Sequence, residues 1–210
     1  ANETVLVTGA GPDSIAEAMV EQLLAGGARV IVTTSRLSRS RVARFKSIYR
    51  RSAARNAELH VVPFDQGNFG DIDALTNWLC RSVSETRGAE RIDIKGPWLP
   101  TLLIPFGAVP AEGDLTTIND ELAHSLRVNL LGVERLIGAL AQTLIQKGEG
   151  IAPMHVLLPL SPNHGQMGRD GLYAEAKIGL ETLLRRWHSE YATWGRATTL
   201  CGAHIGWVRG

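Results

Sequence analysis

Several things are scarce in this 210-residue chain, and each scarcity closes off a class of function. There are two cysteines, Cys80 and Cys201, both in apolar stretches and without the spacing of a metal site, so the expectation is a pair of buried thiols in a reducing compartment, and no metal. Net charge is nearly absent. The 22 basic and 21 acidic residues leave +1, which removes any global attraction to nucleic acid or an acidic membrane. Long apolar runs are missing too: the longest apolar charge-free stretch, residues 97–111, is too short to cross a bilayer and contains four prolines. No signal peptide precedes Val5, and the reading is a soluble, cytoplasmic protein with no nucleic-acid or membrane partner. The chain starts at Ala1 without a methionine and stops after an apolar run, as a piece of something longer would.

What is present suits one folding unit. With 44% hydrophobic residues and 22 glycines, the chain has material for a single core spanning residues 1–210. Short β-branched runs at 4–8, 29–34, 59–64, 101–106, 154–160 and 198–205 alternate with helical periodicity at 14–25, 39–51, 72–83, 120–146 and 172–194. Strands alternating with helices in this way predict an α/β fold with a doubly wound parallel sheet of Rossmann type. The sequence from 87 to 100 mixes glycine, proline and charge, and reads as a long surface loop.

The first strand runs into "TGAGPDSIAEA", with Gly9 and Gly11 in a turn and Ser14 and Ile15 opening a helix. A turn there lets the backbone approach a pyrophosphate, and the free amides of the helix start favour its charge; the same residues also form a capping box that needs no ligand. At the end of the second strand, where an acid would hold a ribose hydroxyl, none is present. The chain offers "TTSRLSRSR" instead, and Ser35 and Arg36 suit a 2′-phosphate, so NADPH is expected over NADH. The competing reading is a solvated charged helix, because residues 36–55 hold eight basic side chains and no acid. Arg39, Arg41 and Arg44 are assigned to the surface or a neighbouring chain. Asp65 and Gln66 follow the third strand, where adenine would lie, and Gly107 follows the fourth.

Ser161 stands at the end of the fifth strand, with Tyr173 twelve residues on and Lys177 four beyond that. By chance, a tyrosine and lysine four apart would arise only about 0.06 times in a chain with this composition. A tyrosine's pKa is about 10, so its use near neutrality calls for a cationic neighbour such as a lysine one helical turn away.

Thr8-Gly9, Asn129, Ser161 and Tyr173-Ala174-Glu175-Ala176-Lys177 resemble the short-chain dehydrogenase/reductase family. More narrowly, "TGAGPDSIA", "VTTSR", "LPLSPNHG", "LETLLRRWHSE" and "IGWVRG" resemble the β-ketoacyl reductase domain of type I fatty acid synthases. That resemblance implies NADPH-dependent reduction of a 3-oxoacyl thioester on acyl carrier protein, with Tyr173, Lys177, Ser161 and Asn129 as the catalytic set. It also implies neighbouring synthase domains and a homo-oligomeric assembly. Two departures stand out: the third glycine of the fingerprint is replaced around Ser14 and Ala16, and Pro105-Phe106-Gly107-Ala108 stands where Asn-Ala-Gly is usual. Relatives also continue beyond a sixth strand, so the fold is expected to be truncated there. Trp207 either flanks the nicotinamide or packs in the core, and His164, without a partner at metal spacing, is assigned to its turn. The alternatives are a reductase for another ketone and a non-catalytic module.

Overall fold

The computed structural model describes residues 3–88, 90–148 and 150–206. Its main sheet is built from β1 (Thr4–Thr8), β2 (Arg29–Thr34), β3 (Glu58–Pro63), β6 (Leu102–Pro105), β7 (Met154–Leu160) and β8 (Thr198–His204), hydrogen-bonded in the order β3-β2-β1-β6-β7-β8. Every pairing is parallel. The strand order reverses between β1 and β6, and the crevice outside the carboxyl ends at that point is where such sheets bind ligands.

Each central strand is apolar on both faces because both are covered. From β1, Val5 and Val7 join one core with Val20 and Leu24 of α1 (Ile15–Ala25) and Phe45 and Ile48 of α2 (Arg39–Ser52). Leu6 points the other way, into a second core with Ile72 and Leu79 of α3 (Phe69–Cys80). The same core takes Leu136 and Leu140 of α5 (Gly132–Gln146) and Leu180 and Leu183 of α6 (Tyr173–Ser189). Cover is incomplete at one side: His155 and Cys201, on β7 and β8, are exposed. The expectation of two buried thiols is therefore corrected, since Cys201 lies on that open face and Cys80 is only half-buried.

The loop expected at 87–100 is instead part of an antiparallel hairpin, β4 (Val83–Arg87) and β5 (Glu90–Lys95). Its alternation of charged and apolar residues is a strand signal that the turn-forming composition masked. Lys95 anchors it, donating to the carbonyls of Trp78, Arg81 and Gly96 at 2.7, 2.8 and 2.9 Å.

The long helix expected at 120–146 is interrupted. α4 (Asp120–Leu126) passes through a π-helical turn at Arg127–Leu131 before α5 begins at Gly132. Taken together, Asp120–Gln146 is long and apolar enough by composition to cross a bilayer, but half of the apolar window is buried in the protein, where its side chains build the core. A β-carbon on Gly132 would stand 2.1 Å from the carbonyl oxygen of Gln66. Gly132→Ala should therefore destabilise the fold by about 1–3 kcal/mol, although alanine in an unobstructed helix gains about 1 kcal/mol over glycine. Urea denaturation decides the sign.

Candidate active site

The glycine turn is held by a close approach of two strand ends. Gly9 has φ of +73°, and a β-carbon there would lie 2.5 Å from the Cα of Gly107, so a side chain would be both strained and obstructed. The Thr8 hydroxyl accepts from the Gly107 amide at 2.9 Å and donates to Gln66 Oε1 at 2.7 Å. Gln66 Nε2 in turn donates to the carbonyls of Gly107 and Val128, at 2.9 and 2.8 Å. This corrects the reading of Gln66 as an adenine contact: its amide is buried and spent on tying β1, β6 and the π-helical turn together. Asp65 is exposed after β3. Its Oδ1 accepts from the Gly67 amide at 2.8 Å, closing a turn outside the cleft.

Ser14 caps α1: its hydroxyl donates to the Gly11 carbonyl at 2.8 Å and accepts from the Glu17 amide at 3.2 Å. The remaining first-turn amides have no intrahelical partner and form a natural seat for phosphate oxygens. Arg44 reaches across from α2 to Asp13 at 2.7 Å and to Glu17 Oε2 at 2.6 Å, fixing the two helices beside the turn. Arg44 thus stays at the surface as expected, and it is paired there because α1 and the turn before it present acids opposite the basic run. Ser35 and Arg36 are exposed just past β2, next to β1 in the sheet, and the Arg36 carbonyl accepts from the Thr34 hydroxyl at 3.0 Å, leaving its guanidinium unengaged by that bond.

A cleft of about 830 Å³ runs from Gly9, Ser14 and Ile15 to Ser161, Tyr173 and Lys177. Gly11, Ser35, Arg36, Asp65, Gln66, Gly107 and Asn129 are not on its wall. A turn that only Gly9 can make, a free helix start and a cleft of this size fit an extended nicotinamide dinucleotide.

At the far end, α6 begins at Tyr173, so its first two turns deliver the phenol and Lys177 to the same wall. Lys177 is 4% exposed. Its Nζ donates to the Pro159 carbonyl at 2.8 Å and stands 5.3 Å from the centre of the Tyr173 ring. Burial pulls its pKa down to about 8. Tyr173 is half-buried, and that burial pushes its pKa up, with a smaller downward pull from the Ser161 hydroxyl and a smaller upward push from Asp170. Burial of the ring thus opposes the acidification expected from Lys177, because a half-buried site disfavours the charged phenolate.

Ser161 follows β7 directly and accepts from the Asn163 amide at 3.1 Å. Asn163 Nδ2 donates to Asp170 at 2.7 Å, which closes the loop between β7 and α6 over the cleft. Phe106, noted above as a departure from the usual Asn-Ala-Gly, lines the wall, as do Asp170, Gln166 and Met167, which were not singled out in the sequence; only the position of Asp170, three residues before Tyr173, offered a hint. Asn129 makes a backbone link away from the cleft wall. It is 1% exposed in the π-helical turn, where Oδ1 accepts from the Val109 amide at 2.9 Å and Nδ2 donates to the Val109 carbonyl at 3.0 Å. Its side chain pins the segment after β6 instead of facing the cleft. Trp207 lies outside the described residues.

No protein-family model matches the chain. It is 45% identical over 208 residues, 98% of its length, to a fatty acid synthase subunit alpha of Schizosaccharomyces pombe. The chain spans about a tenth of the length of the curated relatives it matches. Among solved structures, a short-chain dehydrogenase from Mycobacterium smegmatis superposes with a TM-score of 0.74 at 18% identity, covering 99% of this chain and 76% of that one. An actinorhodin polyketide ketoreductase solved with NADPH gives 0.73 at 20%, covering 99% and 71%.

Proposed function

Because fungal fatty acid synthase alpha subunits are homologues of this chain at 40–45% identity and its fold is that of the short-chain dehydrogenases, we infer that it is a ketoreductase segment of a type I synthase. It reduces a 3-oxoacyl thioester, delivered on acyl carrier protein, to the 3-hydroxyacyl thioester with NADPH. One observation carries this reading: Ser161, Tyr173 and buried Lys177 meet on the same cleft that reaches the glycine turn.

When bound, the reduced nicotinamide supplies a hydride to the carbonyl carbon. The protein's own groups manage the oxygen. Tyr173, with its pKa raised, keeps its proton at neutral pH and donates it to the developing alkoxide. Ser161 donates a hydrogen bond to the same oxygen. Lys177 places a positive charge beside the phenol and so stabilises the tyrosinate that remains after transfer. At the other end, the first turn of α1 holds the pyrophosphate and Arg36 the 2′-phosphate. Neighbouring synthase domains and carrier protein bring the thioester to the cleft.

The test follows NADPH absorbance in the full-length protein with a small acetoacetyl thioester. Steady consumption is expected, and its absence would overturn the assignment. Arg36→Ala should weaken NADPH binding roughly 10–100-fold through loss of charge-assisted hydrogen bonds, and leave NADH nearly unchanged. Equal weakening of both dinucleotides, measured by fluorescence titration, would place the 2′-phosphate elsewhere.

A further inference from the structure

His164 reads in the sequence as a turn residue without a partner, and its spacing from other donors offers no reason to expect a metal. Folding supplies two partners from distant positions. His164, on the loop after β7, Glu181, on α6, and His204, the last residue of β8, bring one imidazole nitrogen, one carboxylate oxygen and a second imidazole nitrogen within 4.8 Å of one another.

The convergence follows from strand and helix periodicity. Gly202 faces α6, since a β-carbon there would lie 3.1 Å from Leu184 Cδ1. Two residues further along the strand, His204 projects toward the same layer. Glu181 precedes Leu184 by three residues and so shares its side of the helix. His204 pairs in register with Leu160, the residue before Ser161, which brings the end of β8 beneath the loop that carries His164. His164 Nε2 and Glu181 Oε1 are already 2.7 Å apart, and the two imidazole rings are centred 6.4 Å apart.

We propose that His164, Glu181 and His204 bind one divalent transition-metal ion, with zinc the best match. Imidazole and carboxylate donors suit zinc, copper and nickel in preference to magnesium or calcium. Bonds of about 2.0–2.2 Å in tetrahedral geometry put donor atoms roughly 3.3–3.5 Å apart, so the His164–Glu181 pair opens slightly and His204 closes in. Both histidines are exposed and Glu181 is half-buried, which leaves the rings room to turn and the ion a route from solvent. An isolated His–Glu hydrogen bond would need only two of these side chains; the third donor makes the arrangement a ligand set.

The ion would act as a clamp. None of the three donors lines the cleft, so its remaining coordination position faces water. It joins the loop after β7, at a point three residues beyond Ser161, to α6, one turn beyond Lys177, and to the end of β8. Occupancy should stiffen the Ser161–Tyr173 geometry from behind. The site is independent of the reductase reading.

The experiment compares metal-stripped full-length protein with a Glu181→Gln/His204→Ala double variant. Zinc titration by calorimetry should give one more ion per chain in the wild type. Each single substitution should weaken that site by roughly tenfold or more, and Cys201→Ser should leave it unchanged, since Cys201 lies on the opposite face of β8. Cobalt(II) loaded into the unsubstituted protein should show visible bands of a four- or five-coordinate nitrogen and oxygen site, a readout that does not depend on how the variants fold. Identical ion counts in wild type and double variant, or a thiolate charge-transfer band from cobalt, would overturn the proposal.

Discussion

Tyr173→Phe is expected to lower kcat for ketone reduction by about 10²–10⁴-fold, the range that a positioned proton donor contributes. NADPH affinity should stay close to that of the wild type, because the phenol lies at the opposite end of the cleft from Gly9 and Ser14. The change is nearly isosteric and removes one hydroxyl from a half-buried ring, so the fold should survive; circular dichroism checks this. A variant with unchanged kcat would show that the proton comes from elsewhere. Steady-state kinetics with a saturating acetoacetyl thioester separates the two results.

Lys177→Met should abolish turnover and stabilise the protein at once. Burial holds the ammonium's pKa near 8 against an ordinary value of 10.5, a difference that corresponds to a charge-burial cost on the order of 3 kcal/mol at neutral pH. Methionine removes that cost and leaves the Pro159 carbonyl without its donor, at about 1 kcal/mol, for a net gain of about 2 kcal/mol. The pH dependence has a definite sign. Between pH 8 and 10.5 the unfolded chain binds the proton that the native chain has released, so this residue's contribution to stability rises with pH across that window. It is least favourable below pH 8. The wild type should therefore gain stability relative to Lys177→Met as pH is raised from 7 to 10, while its reductase activity declines above about pH 8 as the ammonium beside Tyr173 is lost. An unchanged difference in denaturant midpoint between the two proteins at both pH values would contradict the burial of a charged lysine.

The parts of this molecule legible in the sequence are those encoded locally. The six sheet strands follow from continuous apolar runs, and the turn at Gly9 from the glycine that leaves the first of them. Tyr173 and Lys177 are legible because one helical turn separates them, and Ser161 because it ends a strand. Residues whose role depends on distant partners are not. Gln66 looks like a ligand contact because it follows a strand, yet Thr8, Gly107 and Val128 use both ends of its amide. Asn129 falls within what reads as an ordinary helix, but the π-helical turn and the Val109 backbone claim its side chain. The acids that engage Arg44 stand 27 and 31 residues away. The hairpin is hidden by charge, since both faces of β5 are largely exposed and no apolar run announces it.

The most direct measurement uses NADPH deuterated at the transferable position of its nicotinamide, incubated with an acetoacetyl thioester and the full-length protein. Deuterium should appear at carbon 3 of the hydroxyacyl product with the wild type, and at less than about a hundredth of that rate with Tyr173→Phe. Label that fails to reach carbon 3, or reaches it equally fast without the phenol hydroxyl, would contradict the catalytic role of this cleft.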